Sequence, residues 1–188
     1  MLILLTNDDG IHSAGLQALA DRLQSLGRVV VVAPDRERSA IGHALTLHAP
    51  LRAEEILKDR WAVSGTPTDA VNLGIHGILK NMPDLVISGI NKGGNMGDDL
   101  TYSGTVAAAM EATLMGVPAI AVSLASQSFN YADFTNASRA AEMLAETVTE
   151  HGLPADTFIN VNVPPRTPLG IRLTRQGKRI YGDAVIEN

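Results

Sequence analysis

The sequence predicts a three-layer α/β fold built on a mostly parallel sheet, with a short C-terminal extension. Two observations carry the prediction. Short, continuous apolar runs recur along the chain, each stopped by polar or turn residues, as strands buried on both faces require. Between most of them lie segments whose apolar residues fall at helical spacing, and this regular alternation is the pattern of βαβ units.

The chain opens on Met1-Leu2-Ile3-Leu4-Leu5-Thr6, a buried first strand ended by Asn7-Asp8-Asp9-Gly10. Leu16, Leu19, Ala20, Leu23 and Leu26 then mark a helix, with Gly27 placed as its C-cap. Val29 to Ala33 form a second strand, stopped by Pro34-Asp35. Parallel strands with a right-handed crossover are expected from this β-α-β opening. Residues 36–63 are less regular. Leu45-Thr46-Leu47 and Trp61-Ala62-Val63 read as short strands, and Pro50 fits an edge or a turn. Thr66-Pro67-Thr68-Asp69 supplies an N-cap, a proline at the first helical position and an acid in the first turn. Val71, Ile75, Ile78 and Leu79 make the buried stripe of that helix. Asp84 to Asn91 is a further strand, and a glycine-rich loop follows it. Val106, Ala109, Met110, Thr113 and Leu114 mark the next helix, closed by Gly116 and Pro118. Val117 to Ser123 is a strand, and Phe134, Ala137, Ala141, Leu144 and Val148 mark a long helix ended near Gly152. The last strand is Phe158 to Val163, stopped by Pro164-Pro165. The expected organisation is one α/β domain over 1–165 and an extension over 166–188.

Composition narrows the function classes. The 188 residues are 45% hydrophobic and 19% charged, enough for a substantial core. The formal net charge of −5 disfavours a dedicated binder of duplex nucleic acid. There are no cysteines, which excludes disulfides, thiolate metal sites and a cysteine nucleophile. No apolar run approaches the roughly 20 residues of a membrane span, and the N-terminus lacks a basic signal-peptide start. A cytoplasmic protein with no membrane partner is expected.

In open α/β sheets ligands bind outside the carboxyl ends of the strands, so the candidate residues are those at strand ends. Asp8 and Asp9 follow the first strand. Adjacent carboxylates that converge at a turn raise a pKa unless a cation joins them. The alternative is a solvated Asx-turn. Ser39, after the second strand, offers a hydroxyl as ligand or phosphate donor; Glu37 and Arg38 beside it read as solvated. Gly89-Ile90-Asn91-Lys92-Gly93-Gly94-Asn95-Met96-Gly97, followed by Ser103-Gly104-Thr105 at a helix start, is the strongest local signal. Glycines let the backbone approach a ligand, and a helix N-terminus with free amides attracts phosphate. The spacing is neither a Walker loop nor a dinucleotide fingerprint. Lys92 is a cation for the same anion or a solvated side chain. The oxygen donors Asp8, Asp9, Ser39 and Asn91 suit Mg²⁺, Mn²⁺ or Ca²⁺ rather than structural zinc. His76 reads as structural, while His12 and His43 lie near the strand-end site as possible proton donors.

These residues resemble a known family. Ile-Leu-Leu-Thr-Asn-Asp-Asp-Gly at the start, Ala-Pro-Asp-Arg-x-x-Ser at 33–39, Gly-Thr-Pro-x-Asp at 65–69, Ser-Gly-Ile-Asn-x-Gly-x-Asn at 88–95 and Tyr-Ser-Gly-Thr-Val at 102–106 are similar to the motifs of the SurE family, in the same order. The resemblance implies a Rossmann-like, metal-dependent phosphatase of nucleoside 5′- and 3′-monophosphates, some members of which also cut polyphosphate. It implies a Mg²⁺ or Mn²⁺ site on Asp8, Asp9, Ser39 and Asn91, and a phosphate-binding region on Asn95, Ser103, Gly104 and Thr105. Asp8, Asp9 and Asn95 are then the expected catalytic residues. Family members usually continue into a C-terminal extension that makes subunit contacts. Here the chain stops at Asn188, so the expected homodimer or higher oligomer is weaker, with residues 171–188 at or near its contact. Two rivals remain. Asp8 as a covalent nucleophile ranks lower, because aspartyl-phosphate enzymes space their aspartates at i and i+2. A nucleotide- or polyphosphate-binding sensor without turnover uses the same glycine loop and metal.

Overall fold

The computed structural model describes residues 1–178. Its centre is a seven-stranded sheet. The strands are β1 (Leu2–Thr6), β2 (Arg28–Pro34), β3 (Ala53–Leu57), β4 (Arg60–Val63), β5 (Leu85–Lys92), β6 (Ala119–Leu124) and β7 (Ile159–Val163). Their spatial order is β3-β4-β2-β1-β5-β6-β7, all parallel except β3, which pairs antiparallel with β4. The helices are α1 (Ala14–Leu23), α2 (Pro67–Leu73), α3 (Gly104–Leu114) and α4 (Thr135–His151). One face of the sheet packs with α1 and α4 around Ile3, Leu5, Leu16, Leu19, Ile87 and Phe134. The other packs with α2 and α3 around Leu4, Val30, Val32, Val71, Val86 and Ala108. Alternate residues of β1 serve opposite cores, which is why its sequence is apolar without alternation.

Strand order reverses at β1, with β2 on one side and β5 on the other, each reached through a helix on a different face. The crevice between the ends of β1 and β5 is therefore the topological switch point, where such sheets bind ligands.

Several expectations need correction. Leu45-Thr46-Leu47 is not a strand. That stretch hangs from the start of α2, where buried Asp69 accepts from the Thr46 N–H at 3.0 Å and its hydroxyl at 2.6 Å, while the Thr66 hydroxyl donates to the Ala44 carbonyl at 2.7 Å. The partner of β4 is instead Ala53–Leu57, whose exposed glutamates concealed it. Helix α1 ends at Leu23, and Gly27 acts one turn later by close approach: a Cβ there would lie 2.2 Å from the Met1 carbonyl oxygen. In α3, Met110 and Leu114 face outward, 38% and 72% exposed; the buried face is Val106, Ala108, Ala109 and Ala112, small enough to bring the helix close to the sheet. The helix begun by the Thr66 cap changes to a π-helical turn over Gly74–Ile78, which leaves His76 exposed rather than structural. Residues 164–178 form neither helix nor strand, and Leu169, Ile171 and Leu173 are exposed; residues 179–188 of the expected contact segment lie outside the described residues.

Candidate active site at the β1–β5 crevice

The turn after β1 is built by Asn7, fully buried, whose Nδ2 donates to the Gly10 carbonyl at 3.1 Å and to the Ser13 hydroxyl at 2.7 Å. Ser13 in turn caps α1. The turn is tied to the loop after β2, since the Arg38 N–H donates to the Asp8 carbonyl at 2.7 Å and the Ile11 N–H to the Pro34 carbonyl at 2.8 Å. Gly10, at φ 94°, lies against the Arg36 backbone. The first two strand ends thus form one rigid corner that carries Asp8, Asp9 and Ser39.

Asp8 points at the first turn of α3. The Thr105 hydroxyl donates to its Oδ1 at 2.5 Å, and the Gly104 and Thr105 amides also donate to the carboxylate. Gly104 makes this approach possible: a Cβ there would sit 2.8 Å from the Asp8 Cβ and 3.1 Å from Oδ2. Burial pushes the Asp8 carboxyl above its ordinary 3.8, and these hydrogen bonds act in the opposite sense. Asp9 is held by the end of β5. Its Oδ2 accepts from the Lys92 N–H at 3.2 Å, and the Lys92 ammonium lies 3.8 Å from Oδ1. Burial first, and the charge of Asp8 second, push Asp9 up to about 6 against the pull of Lys92.

Asn91 reaches the crevice because β5 carries one extra residue between Ser88 and Asn91 relative to β6, a bulge that re-aims the strand end. Its Nδ2 donates to the Gly93 carbonyl at 2.9 Å. Asn95, 6% exposed, donates from Nδ2 to the Ser123 hydroxyl at 2.8 Å. Ser103 caps α3, accepting from the Val106 N–H at 3.1 Å. An open cleft of about 410 Å³ is lined by Asp8, Ser39, Asn91, Asn95 and Ser103, with Lys92, Gly93, Gly94, Asp99 and Tyr102 completing the wall. Asp9 borders this cleft through Lys92 without lining it, and Gly104 and Thr105 lie behind Asp8. His12 is not among the residues that line the cleft, and the His43 Nε2 contacts the Glu111 carboxylate on α3 at 2.7 Å.

The donor chemistry fits a hard divalent ion. Among the described residues no third carboxylate, histidine or cysteine joins Asp8 and Asp9, so further ligands must be neutral oxygens. Ser39 and Asn91 would suit that role: the Ser39 hydroxyl donates its proton to Glu37 at 2.6 Å, which leaves its lone pairs for a cation, and the Asn91 amide nitrogen is engaged by the Gly93 carbonyl, which leaves its oxygen as the donor atom. The two desolvated carboxylates are the groups that gain most from such a charge.

Ser123, Asn160 and Asn162 also support the site and belong to none of the motifs above. The signal for the last two was present, because asparagines alternating with valines in Asn160-Val161-Asn162-Val163 put two amides on one face of a strand.

Comparison with known proteins identifies the family. The family model described as "Survival protein SurE" matches residues 3–183. A protein of Syntrophotalea carbinolica named 5′-nucleotidase SurE is 67% identical over all of this chain, which spans 75% of that relative's length. One of the same name from Geobacter sulfurreducens is 59% identical over 99% of the chain and 72% of its own. The crystal structure of the SurE protein from Aquifex aeolicus superposes with a TM-score of 0.90 at 47% identity, covering 95% of this chain and 73% of that one. With nearly its whole length matched by the family model, and with its switch-point carboxylates built into that same fold, the chain belongs to the SurE family.

Proposed function

We propose that the protein is a 5′-nucleotidase that hydrolyses nucleoside 5′-monophosphates, and 3′-monophosphates as well, with Mg²⁺ or Mn²⁺ as cofactor. The single observation that carries this reading is the desolvated Asp8–Asp9 pair at the switch point, beside an open, glycine-lined cleft whose wall also carries the neutral oxygen donors Ser39 and Asn91. The name shared by its relatives supports the nucleotidase assignment.

Asp8, Asp9, Ser39 and Asn91 would hold the ion. A divalent ion supplies Lewis acidity toward a phosphoryl oxygen and toward water. The protein's own residues do the rest. Thr105 and the first amides of α3 fix the Asp8 carboxylate in one orientation, so that it does not turn away from the cleft. Asp9, fixed beside Asp8 by the Lys92 N–H, would orient the attacking water or take its proton. Asn95 retains one N–H beyond the one given to Ser123, and it faces the cleft with the Ser103 hydroxyl; both are placed to bind phosphoryl oxygens as charge develops. Gly104 and Thr105 therefore serve phosphate indirectly, through Asp8. The proposal extends to a cytoplasmic homodimer, for which exposed Leu169, Ile171 and Leu173 are the support.

Phosphate release from several nucleoside 5′- and 3′-monophosphates, measured with Mn²⁺, with Mg²⁺ and with EDTA, tests the reading. Turnover that vanishes in EDTA and returns with either ion is expected. Binding of nucleotide without phosphate release would establish the sensor instead, and full turnover in EDTA would overturn the metal assignment.

A further inference from the structure

Asn95 is held from below by the neighbouring strand in a way that its assigned role does not require. Its backbone N–H donates to Asn162 Oδ1 at 2.8 Å, and its carbonyl accepts from Asn162 Nδ2 at 3.0 Å. One side-chain amide on β7 thus pairs with both backbone groups of one residue, as a neighbouring strand would. Asn160 Nδ2 adds a second donor to the same carbonyl at 3.0 Å, and Ser123 on β6 holds the Asn95 side chain. The loop packs down on this pair. A Cβ on Gly94 would meet Asn162 Oδ1 at 3.2 Å and the Ala125 Cβ at 3.3 Å, so the glycine allows the loop to lie against β7. The site lies at the β1–β5 crevice, yet the amides that grip its loop come from β7, two strands beyond β5.

The pairing solves a specific problem. Residues 93–96 leave β5 and belong to no regular element, so the backbone groups of Asn95 have no ladder to join. Asn95 is nevertheless buried, and unpaired backbone groups there are costly. Asn162 satisfies both at once and fixes where the Cα–Cβ bond of Asn95 points. A catalytic group displaced by about 1 Å loses up to 100-fold in rate.

We propose that Asn162, assisted by Asn160, is the positioning residue of the active site: it clamps the Asn95 backbone so that the Asn95 amide is already aimed at the phosphoryl group before substrate arrives. The clamp acts on the transition state through Asn95 and leaves the cation ligands on β1, β2 and β5 untouched. The proposal rests on the placement of Asn95 in the reaction, and its test separates the two.

The experiment compares full-length wild type with Asn162→Leu, Asn95→Ala and the double variant. Amide hydrogen exchange over residues 93–96 reads the clamp without reference to activity. Loss of protection there in Asn162→Leu is expected, with melting cooperative and the Mn²⁺ Kd within about twofold of wild type. Unchanged protection would overturn the clamp. Steady-state turnover of a nucleoside monophosphate reads its use: kcat falls about tenfold or more in Asn162→Leu with a smaller change in KM, and the double variant is no slower than Asn95→Ala alone. Additive losses in the double variant would overturn action through Asn95. Wild-type turnover in Asn95→Ala would remove Asn95 from the reaction, and the positioning role with it, while the exchange data still report whether the clamp exists. Should Asn162→Leu not fold, Asn162→Ala serves in its place; it removes both contacts to the Asn95 backbone without adding charge, and the same outcomes support or overturn the proposal.

Discussion

Replacing Asp9 by asparagine should stabilise the metal-free protein, and by an amount that depends on pH in a defined direction. Asp9 is raised from 3.8 to about 6, chiefly by burial and next by the charge of Asp8. A carboxyl whose folded pKa exceeds its unfolded one opposes folding when ionised. The penalty is fully present above about pH 6, shrinks as pH falls from there, and is gone below 3.8. A shift of about two units at 1.36 kcal/mol per unit corresponds to about 3 kcal/mol. Asparagine keeps the acceptor for the Lys92 N–H. What it gives up is the ion pair to the Lys92 ammonium, long at 3.8 Å with that side chain 38% exposed, and such a contact contributes little. Asp9→Asn should therefore gain about 3 kcal/mol in EDTA at pH 8, or about 6–12 °C in Tm for a domain of this size. The gain should vanish below about pH 4. Thermal and urea melts across that range measure it, and added Mn²⁺ should stabilise wild type far more than the variant. Equal stability of the two proteins at pH 8, or a gap that persists unchanged into acid, would refute the claim that Asp9 is held ionised against its environment.

Two further outcomes follow from the geometry. Gly104→Ala places a methyl group 2.8 Å from the Asp8 Cβ, so Asp8 must move; turnover should fall at least tenfold and the Mn²⁺ Kd rise, measured by steady-state assay and calorimetry, and a wild-type-like variant would show that the approach is not needed. Light scattering at micromolar concentration should give a mass near twice 19.9 kDa, and a monomer mass that does not change with concentration would exclude the homodimer.

The order of elements was legible because each buried strand announces itself by an unbroken apolar run, and β1, β2, β5 and β6 all do. Helix limits were legible where a cap is chemical, as at Thr66 with its proline and acid, and blurred where the end depends on packing, as at Gly27. The inward face of α3 was misread because alanines, not the larger Met110 and Leu114, face the sheet; close helix–sheet approach selects for small side chains, and hydrophobicity alone cannot tell the two faces apart. The stretch at 45–47 has strand composition, but buried Asp69, more than twenty residues on in sequence, captures its backbone. The site followed a similar division. Asp8, Ser39, Asn91, Asn95 and Ser103 were legible as polar residues at strand and helix ends, and they share one cleft. That Thr105 and Gly104 face Asp8 rather than the cleft depends on the depth at which α3 enters, which spacing does not encode. Asn162 was hidden because it lies some 70 residues from the loop it holds.

The antiparallel strand β3 has a consequence beyond completing the sheet. It is an outer edge, five residues long, with Glu54 and Glu55 exposed and an irregular register between Glu55 and Leu57. Its partner β4 turns back at Asp59, which is pinned to β2 by the Arg28 guanidinium at 2.5 Å and by its own carbonyl, an acceptor for the Val31 N–H. A short, kinked and negatively charged border cannot template another chain, because a second copy would have to bring its own glutamates against it. Growth of the sheet from one molecule into the next is therefore blocked on that flank. Backbone-to-backbone association at β3 is the mode of self-contact that this border disfavours.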